Sequence, residues 1–588
     1  MRIRSEHFVG RGKGWTIVLG GALLILVLTI RQVASAPPGQ APGAGDGDPA
    51  HVQWMPVIKK IPSDYVAGPV GPEYGVVFMS SAEDPADEQQ YQNALSTGAS
   101  WNRWPIYWPL VEKAENQFDW SAQDRTVEAD LAHGLKINAI LLGTPWFYQT
   151  AVQPLQPEAL PPRPQGQITL FAPERATPVG LYDPVFADGT DTPGQHKTIN
   201  QTNRWARFVT AAVNRYKPGG VLAQANNWDA GVGVRHWEMW NEPELESFWD
   251  GSLPDYARLL KVGYLAAKHA DPEAQVLFGG LANFTQPNYY GDVLSIYDGD
   301  PLARPHNYFH DILATHNYSC SWRSWYYVYR AGGTLASRDL QKPIWLNESG
   351  VPAWNDYPGP VWDSGSWYRA TMSEQADFVI QSAFYAAFAG ADVIFHFQLY
   401  DGCGNQPAGT DFPPHNGELC DDQGRLKSNP DYPCAGDANG LFSNPTDATC
   451  FSQHPQPETA RPNYAAYRVL TTYLRDAQPL WRQRPGGDDP YRGPQEWIAF
   501  YRPSTRERIL GLWARFGQDE IAEVPAISNQ ATLVTPDGAT RVIQPQGGVY
   551  RLTLPGATNQ NTWCGADNPY AIGGRPYILI ETGPRNPS

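Results

Sequence analysis

Basic residues are scarce in this chain. It carries 44 Lys and Arg against 60 Asp and Glu, a formal net charge of −16. That balance argues against a nucleic-acid partner, which needs clustered Lys and Arg along a phosphate backbone. Cysteines number six among 588 residues: Cys320, Cys403, Cys420, Cys434, Cys450 and Cys564. No two stand at a C-x-x-C spacing, and the 12 His form no cluster, so disulfides in an oxidising compartment are a better reading than a zinc centre. Connectivity is not written in the spacing; the expected local pairs are Cys403 with Cys420 and Cys434 with Cys450. The N-terminal apolar run, residues 15–30, is shorter than the roughly 20 residues that span a bilayer comfortably.

Arg2, Arg4, Arg11 and Lys13 precede that run, and Ala34-Ser35-Ala36 matches a small-x-small cleavage pattern. Residues 1–36 therefore read as a signal peptide or an N-terminal membrane anchor, with residues 15–30 as the membrane tether in the second case. Either way the expected location of the body is extracellular or at the cell surface. Residues 37–73 are a Pro/Gly-rich linker and lead-in.

From residue 74 onward, short apolar runs alternate with amphipathic stretches. Strands are expected at 74–79, 99–105, 137–142, 234–241, 276–279, 312–316, 344–347 and 393–399. Helices are expected at 84–96, 124–133, around 205–216, and at 255–270, 374–389 and 463–475. Eight strand–helix units predict an α/β fold, a (β/α)8 TIM barrel over 74–478. Two long Pro- and Gly-rich insertions, 151–195 and 401–460, follow the third and eighth strands and are expected to rim a site at the barrel mouth. Residues 479–588 break into short strands separated by turn signals, an all-β, sandwich-like module.

Two of the barrel strands end in a glutamate. Val234–Asn241 stops at Asn241-Glu242-Pro243, where proline ends the ladder, and Trp345-Leu346-Asn347 delivers Glu348. As the fourth and seventh strands, they place both acids on one barrel face. Hydrolysis of an acetal needs an acid for the leaving oxygen and a carboxylate for the oxocarbenium-like centre, and two glutamates share this work once their environments separate their pKa values.

The motifs resemble the retaining β-glycosidases of glycoside hydrolase clan A, loosely the family that holds β-xylosidases and iduronidases. Trp237-Glu238-Met239-Trp240-Asn241-Glu242-Pro243 is similar to the strand-four motif, which implies Glu242 as acid/base and Asn241 as a ligand of the sugar 2-hydroxyl. Trp345-Leu346-Asn347-Glu348 implies Glu348 as nucleophile. His316-Asn317-Tyr318 is similar to the strand-six element whose Tyr lies near the nucleophile, and Arg103 matches the arginine that supports the nucleophile carboxylate. Thr144-Pro145-Trp146 adds Trp146 as a candidate sugar platform. The end of strand eight departs from the pattern: His396-Phe397-Gln398-Leu399-Tyr400 stands where a Trp is usual, which leaves Phe397 or Tyr400 as substitutes. The resemblance implies a glycan or glycoside substrate and no metal or organic cofactor. The competing reading is a catalytically inactive carbohydrate-binding surface protein on the same fold. Glu238, Glu244 and Glu246 lie near the motif without an assigned role.

Overall fold

The computed structural model describes residues 71–149, 172–283, 285–353, 370–401, 425–426, 429–433, 438–443, 445, 456–486, 492–559, 564 and 570–584. Residues 1–70, which hold the expected signal or anchor and most of the expected linker, and the two local cysteine pairs lie outside these residues. So do residues 151–171 of the first insertion and most of the second. Among the described residues no helix is long and apolar enough to cross a membrane.

Eight parallel strands close into a barrel: β1 (Glu73–Val77), β2 (Trp101–Tyr107), β3 (Lys136–Leu142), β4 (His236–Asn241), β5 (Gln275–Leu281), β6 (Ile312–Tyr318), β7 (Ile344–Gly350) and β8 (Val393–His396), with β1 paired to both β2 and β8. Each is followed by a helix: α1 (Glu88–Ser96), α2 (Ser121–Ala132), α3 (Arg204–Tyr216), α4 (Leu253–Ala270), α5 (Tyr289–Tyr297), α6 (Arg323–Ala336), α7 (Met372–Ala389) and α8 (Pro462–Tyr473). α5 and α6 were not expected from the sequence. α4 and α7 start on capping boxes, Ser252 with Asp255 and Thr371 with Glu374. β2 runs two residues past its expected end at Pro105. The Arg103 carbonyl faces β1, so Pro105, two residues on, faces the same flank. Pairing with β1 has already ended there at Val77–Arg103, so no ladder bond is lost to the missing N–H.

The lower barrel is filled by Trp101, Trp345, Leu277, Ile312, Ala314, Val393 and Phe395, with Trp101 edge-on to Trp345 at 4.8 Å and to His236 at 4.7 Å. Gly75 makes room for the Phe395 ring, which a Cβ would meet at 2.3 Å. Above this apolar plug the interior turns polar. β6 keeps a strict alternation, with Ile312, Ala314, His316 and Tyr318 all inward. β4 and β7 depart from it. In β7 the register against β6 slips between Thr315–Leu346 and His316–Glu348, so the neighbours Asn347 and Glu348 both face the interior. In β4, Met239 and Trp240 both turn outward, onto Gly263 of α4 and the Trp205 and Trp249 rings. Trp240 takes φ 76° and Glu242 φ 43°. Such left-handed residues cost about 1–3 kcal/mol each and concentrate at functional sites; here the strained turn brings Asn241 and Glu242 inward.

The C-terminal strands β9 (Gln478–Gln483), β10 (Gln495–Arg502), β11 (Glu507–Ala514), β12 (Glu520–Pro525), β13 (Ala531–Val534), β14 (Thr540–Ile543), β15 (Val549–Leu554) and β16 (Tyr577–Thr582) are antiparallel. Six form a sheet in the order β9-β10-β11-β16-β13-β14, and β12 pairs with β15 as a separate ribbon. The central strands β10, β11 and β16 of the large sheet are buried on both faces. Trp497, Ala499, Leu510 and Leu512 pack against Ala522, Val524, Tyr550 and Leu552 of the ribbon. Ile498, Phe500, Ile509 and Trp513 join the barrel core. A disulfide joins Cys320, just after β6, to Cys564, 244 residues away.

Candidate active site

Glu242, Glu348 and His316 meet at the C-terminal face of the barrel, with one oxygen of each carboxylate and a ring nitrogen all within 4.8 Å of one another. His316 Nδ1 lies 2.8 Å from Glu242 Oε1 and 3.5 Å from Glu348 Oε2. Its Nε2 sits against Gly280 of β5, where a Cβ would lie 2.0 Å away. Only glycine leaves the imidazole this position.

Glu348 is the better-supported anion. Arg103 Nη1 donates to its Oε1 at 2.6 Å and the Tyr318 hydroxyl to its Oε2 at 2.5 Å. Burial pushes its carboxyl up, but His316, Arg103 and Tyr318 together carry it below the usual carboxylate range. Glu242 goes the other way. Burial is the main cause, the charge of Glu348 adds to it, and the nearby His316 offsets only part. Its Oε2 is buried with no protein partner. The pair is therefore poised as a carboxylic acid facing a carboxylate. His316 is raised by the two glutamates despite the opposing effect of burial.

Arg103 is 1% exposed, and Glu348 alone takes only its Nη1, so its other guanidinium donors need acceptors inside the barrel. Its second partner is Glu238, which sequence reasoning passed over. Glu238 takes the guanidinium in a fork, Nε at 2.8 Å and Nη2 at 2.9 Å, and also accepts from Asn347 Nδ2 at 3.0 Å and the Gly280 N–H at 2.8 Å. Asn241 Oδ1 takes the remaining Nη2 bond at 2.7 Å. Strand phase offered the signal: Glu238 shares the inward face of β4, and a buried arginine demands an anion across from it.

The expected residues Arg103, Asn241, Glu242, His316, Tyr318 and Glu348 thus form one cluster of hydrogen bonds and ion pairs. Trp146 does not join it by any described contact. It is half-buried at the start of the short helix Trp146–Tyr148, edge-on to Phe147 at 5.5 Å. Tyr148 is pinned through its hydroxyl to Glu112 at 2.8 Å. At the end of β8, Phe397 is half-buried and edge-on to Tyr318 at 5.9 Å and Phe78 at 6.0 Å. Tyr400 instead spends its hydroxyl on Asn93 and Glu458. Of the two substitutes for the missing Trp, Phe397 is the one in contact with Tyr318. Glu244 is buried just beyond Glu242, with Oε1 accepting the Asn283 N–H at 2.8 Å and Oε2 without a protein partner. Burial, then the charge of Glu242, push it up to about 8. The described part of the first insertion reaches this rim: Thr144 N–H donates to the Glu174 carbonyl, Thr144 Oγ1 to that of Ala176, and Arg175 to that of Glu246.

No protein-family model matches the chain. A β-xylosidase of Geobacillus stearothermophilus is 32% identical over 81 residues, 14% of this chain and 14% of that protein's length. A family 39 β-xylosidase structure from Caulobacter crescentus covers 88% of this chain and 98% of its own at 15% identity, with a TM-score of 0.48. A family 39 glycoside hydrolase from the gut symbiont Bacteroides cellulosilyticus WH2 superposes with a TM-score of 0.52 and 16% identity, covering 87% of this chain and 81% of that one. The chain shares its overall fold with that glycoside hydrolase.

Proposed function

We infer that the protein is a retaining β-glycosidase. The observation that carries this reading is the separation of the acids: oxygens of Glu242 and Glu348 approach within 4.8 Å. Carboxyl groups about 5 Å apart suit direct attack and a covalent glycosyl-enzyme, whereas inverting enzymes leave about 6.5–9.5 Å for a water. The opposite titration of the two acids supports the same division of labour.

In this mechanism Glu348 attacks the anomeric carbon while Glu242 protonates the leaving oxygen. The glycosyl bond forms to Glu348, the glycosidic bond breaks, and the aglycone leaves carrying the proton of Glu242. Arg103 and Tyr318 keep Glu348 charged and oriented before attack. His316 stands beside Glu242 as that residue becomes an anion. In the second step Glu242 takes a proton from water, which attacks the anomeric carbon and releases Glu348. Asn241, its carbonyl oxygen held by Arg103, has its amide N–H groups free of that bond to donate to a sugar 2-hydroxyl. Phe397 offers an apolar face beside Tyr318. The name of the Geobacillus stearothermophilus relative favours aryl β-xylosides as the first members of a substrate panel.

The test is proton NMR of the sugar first released from an aryl β-glycoside. Appearance of the β-anomer ahead of mutarotation is expected; the α-anomer would overturn retention.

A further inference from the structure

Beyond Tyr318 the chain turns through Ser319, at φ 69°, and meets the C-terminal region at once. Cys320 is buried and bonded to Cys564. The Ser321 N–H donates to the Ala571 carbonyl at 3.0 Å. Gln381 of α7, also buried, uses both ends of its amide at this junction. Its Oε1 accepts from Ser321 Oγ at 3.0 Å and from the Gly573 N–H at 2.9 Å; its Nε2 donates to the carbonyls of Gly573 at 3.1 Å and Gly574 at 3.0 Å. Gly574 fits where a Cβ would lie 1.9 Å from the Pro555 carbonyl oxygen. Cys320, Cys564, Val351, Phe378, Ala571 and Ile572 close a small apolar core around the disulfide.

A second connection leaves the next residue of α7. Ser382 Oγ is 2.8 Å from Ser349 Oγ, directly after Glu348, and 2.6 Å from Ser324 Oγ. Ser324 Oγ accepts from Asn317 Nδ2 at 2.6 Å, between His316 and Tyr318. One turn of α7 thus grips the C-terminal segment on one side and the backs of β6 and β7 on the other.

We propose that the C-terminal segment at residues 564 and 570–574 is a positioning element of the active site: through the Cys320–Cys564 bond and Gln381 it holds Tyr318 in its hydrogen bond to Glu348. The proposal rests on the glycosidase reading. A 2.5 Å bond to one carboxylate oxygen is lost with a displacement of about 1 Å, since hydrogen bonds fade beyond about 3.2 Å. Opening the disulfide then lowers turnover by loosening Tyr318 rather than by unfolding the barrel.

The experiment compares wild type, Cys564→Ser, Tyr318→Phe and the double variant as full chains, following kcat/KM against pH on an aryl β-glycoside. Cys564→Ser is expected to lower kcat about tenfold, the scale of a slightly misplaced group. It should also move the acid limb to higher pH in the same direction as Tyr318→Phe, because Glu348 loses a donor. The double variant should be no worse than Tyr318→Phe alone, as coupled residues are not additive. Additive losses, or a lower melting temperature with an unmoved acid limb, would overturn the proposal. Should Cys564→Ser fail to accumulate, brief reduction of folded wild type replaces it, with alkylated Cys564 mapped by mass spectrometry. Activity retained in the alkylated, folded fraction is the overturning result. A wild type inactive on every glycoside would instead remove the glycosidase reading on which the proposal stands.

Discussion

Glu242 and Glu348 face each other with similar burial but unlike neighbours, and the neighbours decide which one holds the proton. Glu348 has a guanidinium and a phenol, while Glu242 has one imidazole and an oxygen with no protein partner. Glu348→Gln is expected to abolish turnover. Glu242→Gln should cost about 10²–10⁴ in kcat/KM, the usual contribution of acid–base catalysis, and less with aryl leaving groups of low pKa that need no proton. Equal losses across a series of leaving groups would reassign Glu242. Glu238→Gln removes the fork that neutralises Arg103, and breaking a buried ion pair costs about 3–5 kcal/mol; urea unfolding should register a loss near the lower figure, because Glu348 still holds the guanidinium. Glu244 makes a pH-dependent contribution to stability. Its folded pKa, about 8, lies above that of the unfolded chain, so its contribution is fully present below the unfolded value and is lost as pH rises through 8. Asp377, also pushed up to about 8 by burial, acts with the same sign. The melting temperature should therefore fall between pH 5 and 8, and Glu244→Gln should reduce that fall without removing it. A variant with the wild-type slope would show that Glu244 titrates near its ordinary value.

Elements carry the precision of the site. The eight barrel strands were legible because each reads as an apolar run closed by a turn signal, and their order alone placed Glu242 and Glu348 on one face. The details that aim the side chains were not legible. The slip that turns both Asn347 and Glu348 inward depends on pairing with β6, and the left-handed Trp240 depends on Trp205 and Trp249 waiting outside β4. Glu238 was missed for a related reason: its role exists only once Arg103 is known to be buried opposite it. In the C-terminal module the sequence offers strands at 497–501, 509–513, 531–534, 541–543, 549–554 and 577–580 but none at β9 or β12, and β9 is only half-buried. The Cys320–Cys564 bond joins parts of the chain too distant for spacing to report. Gly280 shows how far the aim depends on a neighbouring strand. Gly280→Ala would place a Cβ 2.0 Å from His316 Nε2 and push the imidazole off Glu242. A misplacement of about 1 Å costs on the order of 10²-fold in rate, so kcat should fall by that much while circular dichroism stays that of the wild type. Unimpaired kcat in this variant would show that the His316 contact is dispensable.

At the scale of the whole molecule, the six-stranded sheet packs one face into the barrel core. Phe500 lies against Phe384 at 5.5 Å and Trp513 against Tyr385 at 5.3 Å, both edge-on, and Gly511 leaves room for Phe384, whose ring a Cβ would meet at 2.6 Å. Aromatic side chains bury about 150–250 Å² each, at most about 4–6 kcal/mol apiece at ~25 cal/mol per Å². At the edge of this contact Glu496 is fully buried and takes bonds from Arg482 at 2.6 Å, Arg484 at 2.9 Å and the Tyr385 hydroxyl at 2.8 Å. Burial opposes its charge, but the arginines hold it well below the usual carboxylate range. Barrel and sheet should therefore unfold together. Calorimetry of the full chain is expected to give one transition, and Glu496→Gln to lower that transition as a whole, because the Arg482 and Arg484 guanidinium groups lose their common anion. A chain ending at residue 477 would expose Phe384 and Tyr385 and should not accumulate as a folded barrel. Two separate transitions in the full chain, with Glu496→Gln moving only one, would mean that the contact is an accessory to two independent cores, and that the C-terminal sheet is attached to the barrel without being needed by it.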